Sequence, residues 1–192
     1  RVAGALLFVA ALAVVAYAYA IHFHFVPAAW SWDDGLHAGF IDVALFSAFA
    51  LHHSLFARTR VKSIIAGHVS AELERPLYVI VASALLVAVV MWWQPVPGVA
   101  WQVAGAAASL FSLLQIGGVL VTLAAAHQLG LARLSGLEMA ARPAPEVSSI
   151  TDRGLYGFVR HPIYFAWLLL VWPTPVMTGS RLVFAAISTI YL

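Results

Sequence analysis

Five apolar runs constrain this chain more than any other feature. Val2–Val26, Leu36–Ala57, Pro76–Gln94, Val99–Ala126 and Pro162–Thr178 each approach or exceed the roughly 20 residues that a helix needs to cross a bilayer. A sixth run begins near Arg181 and is still apolar at Leu192. In hydrocarbon the backbone must satisfy its own polar groups, so such runs become helices. The expected fold is an all-α integral membrane protein, a bundle of about five transmembrane helices plus a truncated sixth, forming one domain over residues 1–192. Composition closes off the soluble alternative. Of 192 residues, 63% are hydrophobic and 9% charged, against roughly 25% charged in a soluble domain. Ala16-Tyr17-Ala18 has the small residues of a signal cleavage site. The run around it is long and further spans follow, so it is read as a first membrane helix.

Orientation follows from the basic residues. Arg58, Arg60, Lys62 and Arg75 flank the link between spans two and three. Arg133, Arg142, Arg153 and Arg160 lie between spans four and five, and Arg1 precedes span one. Only Arg181 falls on the other side, with Asp33 and Asp34. That side is therefore outside, and the side with the nine basic residues is expected to be the cytoplasm. The basic residues sit between apolar runs, not on one soluble face, which argues against nucleic acid as a partner. With no cysteine, thiolate metal sites, disulfides and a cysteine nucleophile are excluded. The short links at Gln94–Gly98 and Met177–Ser180 predict that the helices they join pack antiparallel.

The longest stretch outside the spans is His127–His161. It leads into "DRGLYGFVRHPIYFAW", Asp152–Trp167, where polar residues crowd the mouth of an apolar segment. Pro162 suits the first turn of a helix, where its missing N–H costs nothing. Arg160 and His161 then stand at the positive end of span five, a place suited to an anion such as a carboxylate or phosphate. Tyr156 and Tyr164 add flat amphipathic surfaces able to stack on a base or cover a cation. The alternative is that Arg153 and Arg160 only anchor the span and the tyrosines form an interfacial belt.

Other polar residues stand in apolar settings. Asp42, Phe46, Phe49 and His53 share a face of span two, with Asp42 and His53 about three turns, roughly 16 Å, apart. His53 lies near the cytoplasmic end and Asp42 deeper, and either could instead be an interhelical hydrogen bond that fixes packing. Glu74-Arg75-Pro76 reads as a helix start, with Glu74 and Arg75 either at the rim of a site or as a cap and anchor. His127 closes span four, where the helix dipole favours a histidine. Neither His22/His24 nor His52/His53 has the three- or four-residue spacing of helical metal ligands, so no metal site is expected.

"GLYGFVRHPIYFAW" resembles the Gly-x-Tyr…Arg-His-Pro-x-Tyr motif of the isoprenylcysteine carboxyl methyltransferase family, integral membrane enzymes that use S-adenosylmethionine. "LHHSLFARTRVKS", "ELERPLYVIVASALLVAVVMWWQPVPG", "HQLGLARL" and "WPTPVMTGSRLVFA" resemble its bacterial branch, which contains the methanethiol S-methyltransferases. A denitrification-associated membrane family is a more distant relative. The matching segments run from about His52 onward, some two-thirds of the chain. The resemblance implies an S-adenosylmethionine-dependent methyltransferase acting on a small thiol such as methanethiol, the alternative acceptor being a prenylcysteine or other lipophilic group. It implies cofactor binding by Gly154, Tyr156, Arg160, His161, Pro162 and Tyr164. Catalytic candidates are His53, His127 and Arg160, with Glu74 and Arg75 at the rim. Membrane lipid is the other expected partner. The sequence departs from the family at two points: the Glu-Glu segment and tail that follow span six are not in it, and Ala166 stands where relatives often carry glycine. A non-catalytic membrane protein on the same scaffold is the competing class. A small transporter is a weaker one, because no two halves carry matching Gly/Pro breaks.

Overall fold

The computed structural model describes residues 2–27, 31–130, 157 and 159–192. Helix α1, Val2–Ala20, ends in a single 3-10 turn, His22–His24. Helix α2 spans Trp32–Ala57. Ser31 starts it by accepting from the Asp34 backbone N–H at 3.0 Å, and Asp33 and Asp34 place negative charge at the positive end. A short amphipathic helix α3, Thr59–Ala66, precedes α4, Ala71–Met91. Helix α5 is Gly105–Leu129, α6 is Pro162–Val171 and α7 is Gly179–Ile190. Among the described residues, α1, α2, α4 and α5 are long and apolar enough to cross a membrane, while α6 and α7 are shorter apolar helices. The chain is a predominantly helical integral membrane bundle.

Two apolar runs are not helical throughout. Val99–Gln102 forms strand β1 and Val176–Thr178 forms β2, paired antiparallel with Val99 opposite Thr178 and Gln102 opposite Val176. Pro173 and Pro175 cannot continue α6, which stops at Val171. The ribbon moves the start of the fourth long helix from Val99 to Gly105. Helix α4 begins five residues before Pro76, so Glu74 and Arg75 lie within its opening turns instead of ahead of it.

The ribbon also separates α4 from α5, and among the described residues that pair is not one of the main helix contacts. Helix α5 packs instead along α6. The close approach is at Gly118, where a Cβ would stand 2.8 Å from the Ala166 carbonyl oxygen. Ala166 is fully buried at that crossing. Helices α1, α2 and α4 form the other group, and α7 joins the two. Phe184 of α7 is the hub. Its ring lies 5.3 Å from Phe23, 5.7 Å from Phe46 and Trp93, 5.8 Å from Trp167 and 6.0 Å from Tyr19. One ring thus gathers side chains from α1, α2 and α6 and from the segment that follows α4. Tilted and edge-on ring pairs at these separations favour association beyond the area they bury.

At the ribbon end, polar groups are buried and bonded. Arg181, in the first turn of α7, is 4% exposed. It donates to the Tyr19 carbonyl at 2.7 Å, to the Val176 carbonyl at 3.2 Å and to the Thr174 hydroxyl, and its guanidinium lies 4.8 Å from the Tyr19 ring centre. Tyr19 in turn donates to the Val171 carbonyl at 3.0 Å. The cation therefore sits where α1 and α6 present their negative C-terminal ends. No acidic side chain pairs with it among the described residues. Thr178 donates to the Phe23 carbonyl. Gly179 is required by contact: its N–H donates to the Gly98 carbonyl at 2.8 Å, and a Cβ would fall 2.6 Å from the Val96 carbonyl oxygen. Asp42 is fully buried and accepts from the Gln94 backbone N–H at 2.7 Å, tying α2 to the end of α4.

Candidate functional site

The chain directions put the C-terminal ends of α2 and α5 and the N-terminal ends of α4 and α6 at the end of the bundle opposite the ribbon. Most of the sequence-derived candidates gather there. His53, in the last turns of α2, is exposed and meets α4 through Tyr78, whose hydroxyl lies 2.9 Å from His53 Nδ1. The Tyr78 ring also stacks near His52, with centres 6.0 Å apart and planes within 15°. Glu74 and Arg75 are half-buried about one turn before Tyr78. His127 is exposed in the last turn of α5, where its carbonyl accepts from the Gly130 N–H at 3.1 Å.

On α6, Pro162 is buried in the first turn, as its fixed φ and missing N–H favour. His161 holds the N-cap position with no side-chain cap, and Arg160 beside it is exposed. The His161 and Tyr164 rings stack at 5.2 Å with planes 24° apart. An uncapped helix start with a guanidinium next to it has the donors and the positive end that fit a carboxylate. The stacked rings give a flat surface alongside. Gly154 and Tyr156 lie outside the described residues.

No hydrogen bond or ring contact among the described residues joins His53 to Arg160, His161 or Tyr164. The two groups are linked through a line of rings. His53 lies 5.7 Å from Phe49, Phe49 5.8 Å from Phe46, and Phe46 and Trp167 both meet Phe184. Trp167 follows Tyr164 by one turn of α6 and donates to Ser188 of α7 at 2.9 Å. Asp42, on the same face as His53, is committed to the ribbon end. An apolar groove of about 590 Å³, lined by His68, Ser70, Leu73, Pro76, Leu77 and Ile80, opens on the other side of α4 from Tyr78. It contains none of the candidate residues' functional groups. Tyr78 is the residue that sequence reading missed. It stands in "ERPLY", but its partner is 25 residues away on another helix.

This architecture defines a polytopic helical membrane protein with a histidine–tyrosine pair and an uncapped helix start beside an arginine at one end. The chain is similar in sequence to bacterial methanethiol S-methyltransferases over most of its length. It is 39% identical over 168 residues to the methanethiol S-methyltransferase of Pseudomonas deceptionensis, covering 84% of this chain and 63% of that protein. With the enzyme of that name from Mycobacterium tuberculosis it shares 31% over 159 residues, 79% of this chain and 64% of the relative. It is also 30% identical over 165 residues to nurim of Xenopus laevis, 79% of this chain and 58% of that protein. The chain thus spans less than two-thirds of the length of these relatives. No family model and no solved structure matches it.

Proposed function

We propose that this protein is an S-adenosylmethionine-dependent methyltransferase acting on a small thiol such as methanethiol. The observation that carries the reading is the 39% identity to a methanethiol S-methyltransferase across 84% of the chain, which reaches beyond the two-thirds covered by the motifs. S-adenosylmethionine, when bound, supplies a methyl group on a positively charged sulfur. Arg160 and the uncapped start of α6 would hold its carboxylate, with His161 and Tyr164 alongside and Gly154 and Tyr156 completing the site. The thiol must lose its proton to become a competent nucleophile. His53, held by a neighbouring helix, is the stronger candidate for that base, and His127 the weaker. Glu74 and Arg75 line the rim. Alignment of acceptor and donor supplies much of the remaining rate.

A site at the cytoplasmic face of a bacterial inner membrane is supported by the distribution of charge along the sequence, with nine basic residues before or between spans on one side and Arg181 on the other. Helices α6 and α7 are the fifth and sixth membrane elements. The 10 residues of α6 reach about 15 Å, and the extended segment through Thr178 carries the chain further. A second reading has one specific support. Nurim, a relative whose name states no activity, matches nearly as much of the chain, so the scaffold could serve without catalysis. The deciding experiment supplies methanethiol and S-adenosylmethionine to membranes containing the full-length protein and measures headspace dimethyl sulfide. Methylation of a farnesylated cysteine analogue in its place transfers the reading to a lipophilic acceptor. No methylation of either supports the non-catalytic one.

A further inference from the structure

We propose that Tyr78 is a positioning residue that holds neutral His53 with its proton on Nδ1 and its lone pair on Nε2. The inference rests on the thiol-methylation reading above. The Tyr78 hydroxyl makes two contacts with the same residue: 2.9 Å to His53 Nδ1 and 3.4 Å to the His53 carbonyl oxygen. A hydroxyl has one proton to donate, and a carbonyl only accepts. Both contacts are satisfied when Tyr78 donates to the carbonyl and accepts from Nδ1–H. The opposite arrangement, with Tyr78 donating to Nδ1, leaves two acceptors facing one another at the carbonyl and puts the ring proton on Nε2. A ring with Nε2–H cannot accept a proton there, so the second contact decides whether His53 can act as a base.

The surroundings fit this role. Phe49 lies 5.7 Å from the His53 ring on the α2 side, and the Tyr78 ring lies 5.8 Å away on the α4 side. These contacts fix the ring plane, while the residue stays exposed and Nε2 makes no hydrogen bond among the described residues. The other titratable or charged groups facing the pair are His52, beside the Tyr78 ring, and Arg75, one turn earlier on α4. In the step itself, the thiol S–H bond breaks, its proton goes to Nε2 and the electron pair stays on sulfur. The resulting imidazolium keeps its Nδ1–H on Tyr78, now as a charge-assisted bond. Orientation of a ring through its other nitrogen is a general device for fixing tautomers.

The test pairs a spectroscopic readout with kinetics on the full-length protein. In ¹⁵N-histidine-labelled protein in detergent, with His53→Gln used for assignment, wild-type His53 should show a protonated Nδ1 and an unprotonated Nε2. Tyr78→Phe keeps the ring and removes the hydroxyl, so its thermal midpoint should stay near wild type while the tautomer shifts toward Nε2–H. Dimethyl sulfide formation at neutral pH should fall about tenfold in Tyr78→Phe and about a hundredfold in His53→Gln. The double variant should be no slower than His53→Gln, because the tyrosine acts through the histidine. An Nε2–H signal in an active wild type overturns the tautomer and leaves the methylation standing. A double variant slower than His53→Gln by the full Tyr78→Phe factor also overturns the assignment. Absence of product from the wild type, whatever the tautomer, overturns the reaction and the role of Nε2 with it.

Discussion

The two ends of this bundle use similar side chains to opposite ends. At the ribbon end, Arg181, Thr174, Thr178, Tyr19 and Asp42 are buried, and each has at least one polar atom bonded to a backbone or side-chain partner elsewhere in the fold. At the other end, Arg160, His161, Tyr164, His53 and His127 are exposed, and the guanidinium and imidazoles keep donors or acceptors available. A polar group inside a membrane protein is costly unless it is bonded. The ribbon end meets that condition with protein partners and so contributes rigidity. The site end is open to ligands and so can contribute chemistry. Residue type does not separate the two arginines; what surrounds them does.

Arg181→Met is the most severe way to break the contrast. It deprives the Tyr19 and Val176 carbonyls and the Thr174 hydroxyl of a charged donor, and should cost about 3 kcal/mol. Thermal unfolding in detergent, followed by circular dichroism, reads this as a lowered midpoint. An unchanged midpoint would mean that the ribbon end is not the structural one. Arg160→Ala probes the other end and should leave that midpoint where it is. Its effect belongs in affinity: S-adenosylmethionine binding to the full-length protein, measured by calorimetry, should weaken about tenfold to a hundredfold. Equal affinity would reduce Arg160 to a membrane anchor. Asp42→Asn is the finest test. The amide keeps an oxygen for the Gln94 N–H, and Asp42 Oδ2 has no partner to lose. The midpoint should therefore shift by less than about 1 kcal/mol equivalent. A larger loss would show that the free oxygen matters to the fold.

Hydropathy made the helices legible, because a span announces itself in any 20-residue window. It could not reveal the ribbon. Strands of three and four residues give too little periodicity, and Val99–Gln102 runs straight into the apolar stretch that becomes the next helix. Pro173 and Pro175 were the available signal, and they correctly mark where α6 cannot continue. Arg181 was visible only as the one basic residue on the far side. Its burial depends on carbonyls from α1 and from the segment before α7, and no local pattern encodes partners so remote. The start of α6 was read from Pro162 alone, since the N1 preference of proline is a local rule. The His53–Tyr78 pair joins two helices at a distance in sequence, and only their packing brings it into view.

The arginine at the ribbon end also bears on biogenesis. Its bond to the Tyr19 carbonyl closes a separation of 162 residues, between the first and the last of the helices described. Spans inserted one after another can associate only once all the partners of a contact are in the bilayer. The end of α1 therefore waits in the membrane, its carbonyls uncapped by protein, until α7 has been synthesised. The end of α1 cannot be locked in place before α7 has entered the bilayer.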